Sequence, residues 1–188
     1  MAPEQPVFYY DLGDPDGYLV GERVMSEMAV VPEWEPVLGR ALGLSSAPGE
    51  PDGLRERIVE QALQPLRWPA TWPPDTELAM LAATYAKHIG RAVAFSLAAF
   101  RQAFAGGRDL TEEGTVLVAA AACEMHPRAL LKGMSLRSVT TGLATANRRA
   151  REAGVGALPA IAVGADLYTG PGCLEAATEA LATQAGRR

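Results

Sequence analysis

Apolar and polar positions follow two rhythms along this chain. Val7-Phe8-Tyr9-Tyr10 is a short unbroken apolar run, which predicts a buried strand. Asp11-Leu12-Gly13 closes it, and Asp14-Pro15 predicts a helix start, because Asp caps well and Pro fits the first helical position. Tyr18, Val24, Met25 and Met28 then recur at helical spacing, with Glu22, Arg23 and Glu27 facing outward. A second short strand is predicted over 34–38. Strand, tight turn, helix, strand reads as a βαβ unit, whose ligand site lies at the strand's carboxyl end and the helix N-terminus.

The helical rhythm dominates the middle. Beyond a turn-rich link over 47–53, helices are predicted over 54–63, 76–89, 92–104 and 112–124. An irregular loop carrying Trp68 and Trp72 separates the first two, and Asp75-Thr76 is placed to cap the helix after it. A helix over 136–153 follows; it ends in Arg148, Arg149 and Arg151, which suit a helix C-terminus, and is stopped by Gly154. A strand over 158–163, a turn at Gly164-Ala165-Asp166 and a strand over 167–169 form a hairpin. A last helix covers 173–183. The expected fold class is α/β: a sheet domain over 6–46 and 135–186, interrupted by an all-helical insertion over 47–134.

With 188 residues, 48% hydrophobic and 21% charged, the chain is long enough to bury a core without disulfides or structural metal. Seventeen Lys+Arg against 22 Asp+Glu give a net charge of −5, which argues against nucleic acid and against a polybasic membrane anchor. The longest apolar run, over 116–123, is too short to span a bilayer, and the first residues lack a secretory pattern. A cytoplasmic protein is expected. Cys123 and Cys173 form no CxxC, and His88 and His126 form no metal-ligand pair, so no metal site is expected. Asp14, Asp16 and Gly17 hint at a calcium loop, but Leu12 and Arg23 occupy the positions where that loop needs an acid and a glutamate. Cys123 reads as core. Cys173, at a helix start, is either a small buried hydrophobe or a thiol of lowered pKa.

Four segments in order resemble the DsbA-like branch of the thioredoxin superfamily, and within it the 2-hydroxychromene-2-carboxylate isomerase and kappa-class glutathione transferase group. Residues 8–19 match the opening "FYFDFxSPYxYL". The Trp68 to Thr76 loop is similar to one ending in "PPNS". Gly154-Val155-Gly156-Ala157-Leu158-Pro159-Ala160 is similar to "GVxGVPTF", and the stretch from Leu167 to Glu175 to "LFWGxDRLE". The resemblance implies a thioredoxin-like fold (split βαβ–ββα) with the helical insertion, and Pro159 in the cis form. It also implies a cleft formed by Asp14, Pro15, Asp16, Gly17, Trp72, Asp75, Leu158, Pro159, Gly172 and Cys173. Glutathione or another low-mass thiol is the implied cofactor, and a homodimer the implied assembly. In the family the residue at position 14 is the catalytic Ser or Cys. Here it is Asp14, and Gly172 and Cys173 stand where an acid and an arginine would grip glutathione.

That substitution defines the functional expectation. A carboxylate about 4 Å from a thiolate costs about 4 kcal/mol at an effective dielectric near 20. A helix terminus favours an anion by only about 0.3–2 kcal/mol. Repulsion wins, and thiol–disulfide chemistry is expected to be lost while a small-molecule cleft is retained. Asp14 would serve as base or binding carboxylate, with the tryptophan loop as lid. The alternative is a catalytically silent binding or structural protein in which Asp14 is only a helix cap.

Overall fold

The computed structural model describes residues 5–46 and 49–186. The N-terminal reading at 1–4 and the Ala47-Pro48 part of the link lie outside them. β1 (Val7–Tyr10) leads through a turn to α1 (Pro15–Glu27), β2 (Glu33–Pro36) and a 3-10 turn (Gly39–Leu42). Helices α2 (Leu54–Glu60), α3 (Glu77–His88), α4 (Ala92–Phe104), α5 (Glu113–Ala122) and α6 (Pro127–Met134) follow. The chain then returns through α7 (Arg137–Glu152), β3 (Ala160–Val163), β4 (Asp166–Thr169) and α8 (Cys173–Gly186).

The sheet order is β2-β1-β3-β4. β1 runs parallel to β2, with Phe8 opposite Trp34, and antiparallel to β3, with Phe8 opposite Ile161. The strand period of two divides the β1 side chains between faces. Phe8 and Tyr10 join the main core, while Tyr9 packs with Val37, Ala146, Ala150, Val155 and Ala160 beneath α7. The main core continues from the sheet into the helical segment without a break. Tyr10, Trp34, Tyr18, Phe100 and Phe104 form a chain of ring contacts with centroids 5.3–6.4 Å apart. The Tyr10 hydroxyl, buried among them, finds Ser96 Oγ at 2.7 Å.

Several boundaries differ from the sequence reading for visible reasons. β2 stops at Pro36, because the Leu38 and Gly39 N–H groups are taken by Asn147 and Asp11 instead of a neighbouring strand. α2 ends at Glu60 rather than at 63, where Ala62 adopts the left-handed conformation. α6 was not anticipated. Its start carries Pro127 at the first position and His126 as cap, the Nδ1 accepting from the Arg128 N–H at 3.2 Å. No helix among the described residues is long and apolar enough to cross a membrane.

Candidate functional site

A cleft of about 430 Å³ opens where β1 meets α1. Four stretches distant in sequence build it: Asp11, Gly13 and Asp14; Leu38 to Arg40 with Leu44, Ser45 and Ser46; Pro73 to Thr76; and Leu158. One buried carboxylate binds three of them together. Asp11 Oδ1 accepts from the Gly13 N–H at 2.9 Å and Oδ2 from the Gly39 N–H at 2.7 Å, and Thr76 adds a side-chain hydrogen bond. Burial raises the Asp11 pKa, and these bonds and Arg40 oppose the rise. Gly13 is required beside this knot, since a Cβ there would sit 2.7 Å from Thr76 Cγ2.

Asp14 lies at the mouth of α1. Its backbone is extended and its Oδ1 accepts from the Asp16 N–H at 3.1 Å, so it is the helix N-cap. Oδ2 is buried with no hydrogen-bond partner. Loss of hydration, followed by the charges of Asp16 and Asp11, pushes the Asp14 pKa up to about 8, against the N–H groups of the first helical turn. At neutral pH the carboxyl is thus mostly the uncharged acid. This runs against the electrostatic expectation, in which a fixed negative charge here would repel a thiolate. The desolvation of Asp14 outweighs the helix terminus, so most of that charge is absent below pH 8.

The other anticipated residues separate into three groups. Asp14, Asp75 and Leu158 line the cleft. Pro15, Gly17, Pro159 and Cys173 are buried behind it, outside its lining, and Leu158–Pro159 is cis as the resemblance implied. Asp16, Trp72 and Gly172 lie outside the lining as well. Asp16 is paired with Arg57. Trp72 packs on Trp68 with centroids 4.3 Å apart, and both rings lie 6.2–6.3 Å from Phe104, so this pair anchors the loop while Pro73 and Pro74 face the cleft. Trp72–Pro73 is a second cis bond, which the resemblance did not imply.

Charge at the rim is compensated. Asp75 meets Arg40 at 2.7 Å and accepts from the Glu77 N–H at 3.0 Å, and these bonds lower its pKa. Arg40 also pairs with Glu77. Cys173 is 1% exposed, and burial, then Glu175 and Asp14, push its thiol up to about 12. Cys173 is therefore a buried thiol without thiolate character, the opposite of what a reactive helix-start cysteine needs. Among the described residues no group of three or more His, Cys, Asp or Glu is arranged to hold a metal ion.

Sequence reasoning missed Asp11, Arg40, Ser45, Ser46 and Thr76 as cleft residues. Asp11 had a signal: an acid ending an apolar strand, directly before a helix cap. Arg40 and the two serines had none, because only the tertiary fold carries the segment after β2 over the start of α1.

No family model and no curated protein matches the sequence. Solved structures do. A 2-hydroxychromene-2-carboxylate isomerase superposes with a TM-score of 0.79 at 17% identity, covering 98% of each chain. A probable DsbA oxidoreductase from Streptomyces coelicolor gives 0.76 at 16% identity, over 98% of this chain and 91% of that one. A thioredoxin-like oxidoreductase from Silicibacter pomeroyi DSS-3 gives 0.55 at 18%, over 95% and 86%. Together with the mixed four-stranded sheet and its helices, these likenesses establish the chain as α/β, with the thioredoxin-like fold in its DsbA-type form.

Proposed function

We propose that the cleft at the start of α1 binds a small organic molecule, and that Asp14 serves it as a proton donor and acceptor rather than as a thiol substitute. The observation that carries this reading is the Asp14 carboxyl itself. It is held by a cap bond, it has one oxygen without a hydrogen-bond partner, and burial brings its pKa to about 8. An acid–base group works best when its pKa lies near the operating pH. Neutral Asp14 gives its proton to one atom of the bound ligand, and the carboxylate so formed takes a proton from another atom of the same ligand. Protons balance and no redox partner is needed, so the reaction class is isomerisation. A structurally similar protein is a 2-hydroxychromene-2-carboxylate isomerase, which makes ring compounds with an acidic or enolic hydroxyl the first to examine.

The cleft walls favour a ligand with an apolar body. Leu38, Leu44, Leu158, Pro73 and Pro74 are apolar, Ser45, Ser46 and Thr76 supply hydroxyls, and Arg40 is already held by Asp75 and Glu77. With no free cation assigned to a carboxylate, a neutral or cationic ligand is favoured. Glutathione is disfavoured because Gly172 and Cys173 replace the acid and arginine that would grip it, and because Asp14 supplies no sulfur chemistry.

Thermal-shift screening of small aromatics and low-mass thiols tests this reading. Stabilisation by neutral aromatics that disappears in Asp14→Asn supports it. Strong stabilisation by glutathione contradicts it. The buried Oδ2 and the inert Cys173 also favour a second reading, a silent binding protein in which Asp14 is only a cap. Ligand binding that is untouched by Asp14→Asn, with no turnover of any binder, would select that one.

A further inference from the structure

A second groove, of about 560 Å³, lies between α3 and α7 and takes no part in the proposed reaction. Its chemistry is the reverse of the cleft's. α7 contributes Arg137, Ser138, Thr141, Thr145 and Arg149, and the last turn of α3 contributes Lys87 and His88. Glu35 is the one carboxylate in the lining, against the three cations Lys87, Arg137 and Arg149. Glu35 is 7% exposed and holds Lys87 Nζ at 2.7 Å, and Glu33, just outside the lining, holds the same Nζ at 2.8 Å, so Lys87 adds no free positive charge and the cationic character of the groove rests on Arg137 and Arg149. Arg137 and Arg149 have no ion pair among the described residues, and both are exposed. In a chain of net charge −5, the uncompensated cations here point to an anion.

The face of α7 is built to match. Its apolar positions Val139, Leu143, Ala146 and Ala150 are buried, so packing alone accounts for that side. On the groove side the positions one turn apart carry hydroxyls, which donate hydrogen bonds to phosphate or carboxylate oxygens. Gly142 brings the two helices together: a Cβ there would lie 3.1 Å from His88 Nε2 and 3.2 Å from Thr84 Cγ2. The helices touch at that point, and the groove keeps a cationic wall at each end of the α7 stripe. The span from Arg137 to Arg149 is about 18 Å at 1.5 Å per residue, longer than one phosphate reaches.

We infer that the α3–α7 groove is a binding site for a small polyanion, a molecule carrying phosphate groups that Arg137 and Arg149 hold from opposite ends with the α7 hydroxyls between them. The inference does not depend on the chemistry of the cleft.

Titration calorimetry of the full chain with inorganic tripolyphosphate at low ionic strength tests it. The expected result is saturable binding that weakens as salt is added. Arg137→Ala and Arg149→Ala, both at exposed positions, each weaken it roughly tenfold or more, as loss of a hydrogen bond to a charged group does. Asp14→Asn leaves it unchanged, which separates this site from the cleft. Binding that is absent at millimolar tripolyphosphate, or equally strong in the double arginine variant, overturns the inference. So does tighter binding of a DNA or RNA oligonucleotide that the same arginine variants abolish.

Discussion

The aromatic core behind α1 and the cleft at its mouth lie within one helix turn of each other and are held together in different ways. The core consists of side chains that need only be apolar and of suitable size. Tyr10, Tyr18, Phe100 and Phe104 stack and tilt against each other, and among the polar atoms these rings bring in, the Tyr10 hydroxyl has a partner in Ser96 while the Trp34 indole N–H beside it has none. The cleft consists of polar groups that must each find a particular donor or acceptor. Asp11 satisfies two backbone N–H groups and Thr76, while Asp14 is left with one oxygen unmatched. The contrast teaches that stability resides in the core, and that the cleft spends a little of it to keep a carboxyl away from water.

The largest effect expected tests the core side. Phe100→Ala empties a fully buried position and is predicted to cost about 3–5 kcal/mol in urea denaturation, with the Asp14 titration retained. If the loss is under about 1 kcal/mol, the core is not where stability lies. Next comes Asp11→Ala, which orphans two buried N–H groups and is predicted to cost about 2–4 kcal/mol and to abolish ligand binding in the cleft. A variant that loses stability but keeps the cleft's ligand profile would show that Asp11 does not shape the site.

Asp14→Asn sharpens the comparison, since Asn keeps the cap and removes the titration. The folded-state pKa of Asp14 lies above its ordinary value, so the folded chain holds a proton that the unfolded chain releases. The stability linked to that proton is present below about pH 4 and is lost as pH rises toward about 8. Asp14→Asn should flatten that slope, so that the parent's denaturation midpoint falls between about pH 5 and pH 9 while the variant's does not. The smallest effect expected is that of Arg57→Ala. It breaks a partly exposed pair with Asp16 and should change stability by less than about 1 kcal/mol. A larger loss would mean that Asp16 belongs to the tightly held part of the site.

Legibility in the sequence follows the same division. The run at 7–10 and the Asp14-Pro15 cap rest on local spacing, and the structure reproduces them with β1 at Val7–Tyr10 and Asp14 as N-cap; of the stripe on α1, Tyr18, Val24 and Met28 are buried but Met25 is exposed, and Glu22, read as outward, is held against Arg101. The cis Leu158–Pro159 bond came through the resemblance, since it leaves no periodic signal. The cleft was read only where its residues fall in matched segments, at Asp14, Asp75 and Leu158. Arg40, Ser45 and Ser46 follow a short strand with no chemical pattern, and their place in the site depends on the Asp11–Gly39 bond across 28 residues. The raised pKa of Asp14 has no signal in the sequence for a related reason, because burial at a helix start is decided by what packs over it.

Carbon-detected NMR titration of the Asp14 side-chain carboxyl, assigned with Asp14→Asn, addresses the protonation state on which the proposed chemistry rests. The account predicts a midpoint near 8, with the resonance of a neutral acid at pH 6. A midpoint near 4, the ordinary value for aspartate, would contradict it and leave a hydrated cap where an acid–base group is proposed.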